Sequence, residues 1–142
     1  MNYSNINFAA KPLTKTLNQV RNNIEKETSS HYNSVLINLY RNGNDSMGWH
    51  SDDENIYNPK APIASLSLGG SRLMKFKKKT KKGLGKKTLE LRLNSGDLII
   101  MKHPTQEMLK HSIPKSSTDI KERINLPFRS AIEKQDAFKK RV

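Results

Sequence analysis

Cysteine is absent from the 142-residue chain, and this absence alone removes much chemistry. Disulfide staples, thiolate zinc sites, iron–sulfur clusters and cysteine nucleophiles are excluded. Any metal must be held by imidazole, carboxylate and other oxygen ligands, which favours iron, manganese or magnesium over thiophilic ions. Acidic residues are also scarce: thirteen Asp and Glu stand against twenty-six Lys and Arg, giving a formal charge of +13 and a pI near 10.0. An excess of this size predicts attraction to a polyanion, nucleic acid first and an anionic membrane surface second. No apolar run approaches the roughly 18 residues that span a bilayer. The stretch from Met1 to Lys15 has neither the charged start nor the apolar block of a secretory signal. Membrane spanning and secretion are therefore not expected. The expectation is a monomer in the cytoplasm, or in the nucleus if the source is a eukaryote.

The length suits one domain and leaves no room for a separate regulatory module. Hydrophobic residues make up only 34% of the chain, but they fall in patterned blocks rather than in the sparse manner of a disordered segment. Between Pro12 and Thr28, Leu13, Leu17, Val20 and Ile24 recur at helical spacing. Pro12 suits a helix start and Ser29-Ser30 its end. The period then changes. Val35 to Tyr40 is a β-prone run stopped by the turn residues Asn42-Gly43-Asn44-Asp45. Strand-like blocks follow at 63–68, 72–76, 88–93, 97–101 and 123–128. Gly69-Gly70, Asn94-Ser95-Gly96 and Pro114 to Ser117 punctuate them. The pattern predicts a mainly β fold with a flanking N-terminal helix over 12–29, a β core over 34–130 and a basic tail over 131–142. A sandwich or barrel is the architecture such a series forms.

Eight Lys crowd the segment Lys75 to Lys87. A solvated hairpin loop is one reading. The other is a phosphate-contacting loop, with Lys75, Lys77, Lys78, Lys79, Lys81 and Lys82 meeting a nucleic-acid backbone, and both can hold together. Ammonium groups of this kind give affinity without base specificity.

Three further pieces carry chemistry. His50 and Asp52 lie in Trp49-His50-Ser51-Asp52-Asp53-Glu54, an acidic knot in a basic protein. In extended chain the imidazole and carboxylate share a face, and with a distant His they would form the two-His, one-carboxylate triad of non-haem iron oxygenases. Arg123 to Arg129, RINLPFR, alternates strictly. Ile124, Leu126 and Phe128 are expected to face the core and Arg123, Asn125 and Arg129 the other side, where two guanidiniums could take a small dicarboxylate. The ordinary alternative is an edge strand with exposed Arg, a placement that Pro127 favours because it lacks a ladder donor. Asn38 and Tyr40 share one face of the preceding run.

Together these pieces resemble the AlkB family of Fe(II)- and 2-oxoglutarate-dependent nucleic-acid demethylases. The similar stretches are VLINLYRNGNDSMGWHSDDE from Val35 to Glu54, PIASLSLGGSR from Pro62 to Arg72, LNSGDLIIMKHPTQEMLKHSIP from Leu93 to Pro114, and RINLPFR, in the family's order. The resemblance implies a double-stranded β-helix (jelly-roll) core, with Fe(II) as metal and 2-oxoglutarate and O₂ as cosubstrates. It assigns the metal to His50, Asp52 and His111, and the cosubstrate to Asn38, Tyr40, Arg123, Asn125 and Arg129. Asp53 and Glu54 match an acidic pair that meets the damaged base, and Tyr3 an aromatic that stacks on it opposite His50. His103 and His31 are left with structural or surface roles. Two departures stand out. Pro127 replaces a customary Thr or Ser, which alters the cosubstrate strand locally. Residues 1–11 look like a remnant of the family's nucleotide-recognition lid. The implied function is demethylation of N1-methyladenine and N3-methylcytosine in methylated DNA or RNA, preferably single-stranded. The alternatives are an oxygenase acting on another modified base or on protein, and a non-catalytic nucleic-acid-binding module.

Overall fold

The computed structural model describes residues 11–117 and 121–132, with the backbone of Asn2–Tyr3 and Ile6–Asn7. Those two short strands, β1 (Asn2–Tyr3) and β2 (Ile6–Asn7), pair antiparallel. Helix α1 (Lys15–Thr28) begins three residues later than Pro12 predicts. The reason is the Thr14 side chain, which accepts the Leu17 N–H at 3.2 Å. This satisfies one of the first-turn donors and makes Thr14 the cap, so Leu13 falls outside the helix. Ser29, in the left-handed region at φ 49°, ends it as the sequence suggests.

Nine further strands build two antiparallel sheets. β5 (Met47–His50), β10 (Leu109–Ile113), β7 (Arg72–Thr80) and β8 (Gly83–Leu93) form the first, in that spatial order. The second runs β3 (Ser34–Val35), β11 (Arg123–Arg129), β6 (Ile63–Gly69) and β9 (Leu98–Met101), with β4 (Asn38–Tyr40) also paired to β11. A one-turn helix, α2 (Thr105–Met108), links β9 to β10. The Lys-rich segment is mostly strand, since β7 and β8 pair continuously except for one irregularity between Lys77 and Lys79. No helix among the described residues is long and apolar enough to cross a membrane.

Alternation on β6 divides the core in two. Ile63 points between the sheets, where it joins Tyr40, Met74, Phe76, Leu93, Met101 and Ile113. Ala64 points outward and meets Ile24, Tyr32, Leu126 and Phe128, with Leu17 and Val20 of α1 packed against them. Fully burying side chains of this size stabilises by roughly 1.5–3 kcal/mol each, so each cluster holds one layer of the fold. The mainly β architecture with a helical flank is as the sequence predicts.

Two expectations change, and one alternative falls. The run from Val35 to Tyr40 breaks into β3 and β4, with Leu36 and Ile37 between them. Ile124 does not reach the core and is 37% exposed, because α1 covers the Leu126 and Phe128 end of β11 and stops short of it. β11 is not an edge strand: it lies inside the sheet, with β6 on one side and β3 and β4 on the other. Pro127 is tolerated there for a local reason. Its carbonyl accepts from Leu36 N at 3.3 Å. The missing N–H therefore faces the same side, where the neighbouring strand is interrupted and no ladder partner waits.

Candidate active site

Strand pairing brings the two distant imidazoles together. β5 runs antiparallel to β10 with His50 opposite His111, and their rings stand 4.2 Å apart in a T-shaped contact. Asp52 lies just beyond the end of β5 and is buried. Its Oδ1 is 3.9 Å from His50 Nε2 and its Oδ2 is 3.5 Å from His111 Nε2. One ligand atom from each residue falls within 4.8 Å of the others. Adjacent ligands of an octahedral ion with bonds near 2.1 Å are about 3 Å apart, so small rotamer adjustments suffice. The donor chemistry fits a divalent ion. His50 Nδ1 sits 2.8 Å from the Gly48 carbonyl, a contact that places a proton on Nδ1 and leaves Nε2 as the nitrogen nearer Asp52. Burial pushes the His111 pKa down to about 4; Asp52 opposes this while His50 and Arg129 add to it. His111 is therefore neutral and able to ligate at neutral pH. The backbone beside the carboxylate is fixed as well, since Asp52 N donates to Gln106 Oε1 at 2.9 Å and Ser51 Oγ to the Leu109 carbonyl at 2.9 Å.

β11 supplies the second half. Its register puts Arg123 opposite Tyr40 and Gly69, and Asn125 opposite Asn38 and Ser67, so all these side chains share the inner face. Arg123 is 1% exposed. Its Nη2 donates to Ser67 Oγ at 2.9 Å and to Asn125 Oδ1 at 3.3 Å, while Nε and Nη1 are buried with no partner. No carboxylate pairs with it among the described residues. Burial lowers its pKa, with Tyr40 opposing. Gly69 makes the close strand approach possible. At φ 85° it is in a region that L side chains rarely adopt, and a Cβ there would come 2.3 Å from the Glu122 carbonyl oxygen. Tyr40 lies between two guanidiniums, Arg123 at 5.1 Å and Arg72 at 5.3 Å from its ring centre. Arg129 differs from Arg123 in having a counter-charge, its Nη2 donating to Asp52 Oδ1 at 2.5 Å. Burial disfavours its charge, but Asp52, the Tyr57 hydroxyl and Glu54 more than offset this and raise the pKa. Its Nε and Nη1 are also buried without a partner. A small cavity of about 40 Å³ touches His50, Asp52, His111, Arg123, Asn125 and Arg129 together. The two imidazoles, the carboxylate and the two guanidiniums thus line one space.

A second cavity of about 300 Å³ opens from Asp52 and Arg129 towards Asp53, Glu54, Tyr57 and Gln106. Glu54 Oε2 is buried there with no partner. Asp53 is engaged differently from its sequence reading: its carboxylate accepts from Lys79 Nζ at 3.1 Å, and the same ammonium donates to the Gln106 carbonyl at 2.8 Å. Lys79 is thereby taken up by the site's own wall, not left for phosphate. Lys75 pairs with Glu90 at 2.6 Å, and Lys77 lies over the Trp49 ring at 5.4 Å. Lys78, Lys81 and Lys82 are the exposed members of the predicted set. His103 faces Glu107 at 3.5 Å and His31 faces Glu25 at 3.0 Å, both away from the triad. The side chain of Tyr3 lies outside the described residues.

Five neighbours escaped sequence reading. Ser65 and Ser67 hold Asn125 and Arg123; their period-two placement in β6, polar inward, was the available signal. Arg72 is fully buried and donates to the carbonyls of Asn42, Asp45 and Pro114, tying the β4–β5 turn to the end of β10. Tyr57 and Gln106 sit in loops, and no pattern marks them.

Residues 2–129 match the family model described as the 2OG-Fe(II) oxygenase superfamily. The chain is 34% identical over 134 residues to the human protein named DNA oxidative demethylase ALKBH2, covering 92% of this chain and 51% of that protein. It is 39% identical over 134 residues to the bovine alpha-ketoglutarate-dependent dioxygenase alkB homolog 3, covering 90% of this chain and 47% of the relative. The chain therefore spans about half the length of the curated relatives it matches. A solved structure titled "The structure of OsALKBH1" superposes with a TM-score of 0.57 at 15% identity, over 83% of this chain and 66% of the other, and is a likeness of fold.

Proposed function

The chain belongs to the 2OG-Fe(II) oxygenase superfamily, and from that premise we propose that it removes methyl groups oxidatively from N-methylated bases of DNA or RNA, N1-methyladenine and N3-methylcytosine above all. The observation that carries this reading is the pairing, in one cavity, of a His–Asp–His cluster with two buried guanidiniums whose free N–H groups have no partner. A buried guanidinium without an anion is costly; Arg123 is in that state, and a small dicarboxylate would supply its counter-charge while meeting the free N–H groups of Arg129.

His50, Asp52 and His111 would hold the metal; Arg123 and Arg129, with Asn38, Tyr40 and Asn125, would hold 2-oxoglutarate. When bound, Fe(II) with 2-oxoglutarate and O₂ supplies the oxidation that hydroxylates an N-methyl group, which leaves as formaldehyde while the cosubstrate becomes succinate and CO₂. The chain's own groups orient and discriminate. Ser67 and Asn125 fix the Arg123 fork, so one carboxylate meets a preset pair of donors. Tyr40 fills the space between Arg72 and Arg123 and keeps water from the latter.

The substrate class follows from charge on two scales. A +13 chain is drawn to a polyanion, with Lys78, Lys81 and Lys82 exposed on the hairpin to meet phosphate. The cavity beside the metal site is acidic instead, lined by Asp53 and Glu54. The buried, unpartnered Glu54 oxygen is an acceptor for an exocyclic N–H, and a carboxylate favours the cationic methylated bases over neutral ones. A methylated base that cannot pair is cheap to extrude, and a single strand needs no unpairing at all, so single strands are the preferred form.

The test is a short single strand carrying 3-methylcytosine, incubated with Fe(II), 2-oxoglutarate and O₂ and followed by mass. The reading expects loss of one methyl group, abolished by His50→Ala. Turnover of a methylated peptide but not of the strand would refute the substrate class. Strand binding without any oxidation would leave only a binding module.

A further inference from the structure

The turn from Glu54 to Asn58 packs against the Arg129 end of β11. The Tyr57 ring lies 4.9 Å from the guanidinium of Arg129, both are buried, and the backbone holds them in register. Tyr57 N donates to the Glu54 carbonyl at 3.1 Å and closes the turn. Tyr57 bridges to Ala131, Asn58 N donates to Ser130 O at 2.9 Å, and Ile132 N donates to Ile56 O at 2.8 Å. The turn is thus stitched to the residues that immediately follow Arg129. The ring cannot drift relative to the arginine's own backbone.

We propose that Tyr57 is a positioning residue that sets the plane of the Arg129 guanidinium, so that its unpartnered Nε and Nη1 are offered to a carboxylate of 2-oxoglutarate; this rests on the cosubstrate role given to Arg129 above. The need for it comes from competition. Arg129 Nη2 is held by Asp52, and its Nη1 is 4.0 Å from Glu54. Both carboxylates also have other work, one beside the metal ligands and one in the acidic cavity. A guanidinium held only by them would turn with every change in their charge. The ring face attracts the cation and the Tyr57 hydroxyl adds a polar contact, so Tyr57 fixes the orientation independently of the two carboxylates. The ring belongs to the turn that carries Glu54, and Asp52 lies two residues before that turn. Changes at Tyr57 should therefore reach cosubstrate binding and spare metal binding.

The experiment measures 2-oxoglutarate affinity of the Fe(II)-loaded, anaerobic protein by its visible charge-transfer absorbance. Metal affinity is measured separately, by Co(II) absorbance without cosubstrate. Tyr57→Phe keeps the ring and loses only the hydroxyl contact, so it should weaken 2-oxoglutarate clearly less than Tyr57→Leu does. Tyr57→Leu should weaken 2-oxoglutarate by about ten-fold or more, as loss of a buried cation–π contact implies, with Co(II) affinity unchanged. Pentafluorophenylalanine at position 57 keeps the ring's shape but removes its negative face, and it should behave as the Leu variant while melting like the Phe variant. That comparison separates positioning from packing. Wild-type cosubstrate affinity in both the Leu and the fluorinated variants would overturn the proposal, as would an equal loss of Co(II) affinity. A wild-type protein that binds Co(II) but not 2-oxoglutarate would overturn the cosubstrate reading itself, and this proposal with it.

Discussion

Asp52→Asn replaces one carboxylate oxygen by an amide nitrogen and hardly changes volume, so its effect on the metal-free protein reports the charge. Asp52 is 7% exposed and Arg129 3%, and their contact is 2.5 Å. Removing one partner of a buried pair typically costs 3–5 kcal/mol, because the other charge stays buried and uncompensated. Glu54 remains 4.0 Å from Arg129 Nη1, and the amide can still accept one hydrogen bond, which places the cost at the lower end, about 3 kcal/mol. For a chain of this size that lowers the midpoint of thermal unfolding by roughly 10 °C. His50→Asn makes the contrast. The His50 side chain is 29% exposed and not in a close ion pair, so its replacement should cost about 1 kcal/mol or less. Both variants should lose the metal, yet only one should lose stability. Circular dichroism melts in excess chelator decide it. An Asp52→Asn protein melting within about 2 °C of the wild type would refute the claim that this carboxylate holds the buried arginine.

Other expectations follow from the same geometry. His111 has its pKa depressed to about 4 from an ordinary 6.5, so as pH falls the unfolded chain takes up the proton first. The contribution is present in full above pH 6.5 and is lost towards pH 4, up to about 3 kcal/mol in the metal-free protein. Urea midpoints across that range should fall for the wild type and fall less for His111→Gln; parallel curves would contradict it. Gly69→Ala and Gly96→Ala both place a side chain at positive φ, but only Gly69 has a backbone oxygen 2.3 Å from the new Cβ, whereas Gly96 faces open space. The first should cost about 3 kcal/mol and weaken 2-oxoglutarate binding, the second about 1; equal costs in denaturant would refute the steric argument. Lys81→Ala with Lys82→Ala should weaken strand binding and reduce the salt slope by about two, measured by anisotropy, if both meet phosphate. Lys79→Ala, paired to Asp53, should change the slope little.

What could be read in the sequence follows the periodicities. β6 and β11 alternate cleanly, and their register carries Ser65, Ser67, Arg123 and Asn125 to one face. The helix was legible from Leu17, Val20 and Ile24, and its true start lay in a Thr14 side-chain bond that spacing alone does not reveal. β10 hid because its inward positions hold a histidine among apolar residues, as a site strand must, so alternation of hydrophobicity fails where the chemistry is. The resemblance supplied His111 where the pattern did not. Pro127 lent weight to the edge alternative because the rule that proline prefers an edge assumes an unbroken neighbouring strand, and here that strand is interrupted at Leu36 and Ile37. Tyr57, Arg72 and Gln106 act through contacts between segments far apart in the chain. Nothing local distinguishes a tyrosine in a turn that stacks on an arginine 72 positions later from one that does not.

One single-turnover measurement tests the central claim, that metal and cosubstrate share one cavity and the base enters the cavity adjoining it. The protein is loaded anaerobically with one equivalent of Fe(II), one of 2-oxoglutarate and one of a 3-methylcytosine single strand, then exposed to O₂, and succinate, formaldehyde and demethylated strand are counted. The account predicts the three in equal amounts, with Arg123→Met forming none of them at the same cosubstrate concentration. Succinate formed in full while the methyl group stays on the strand would contradict it.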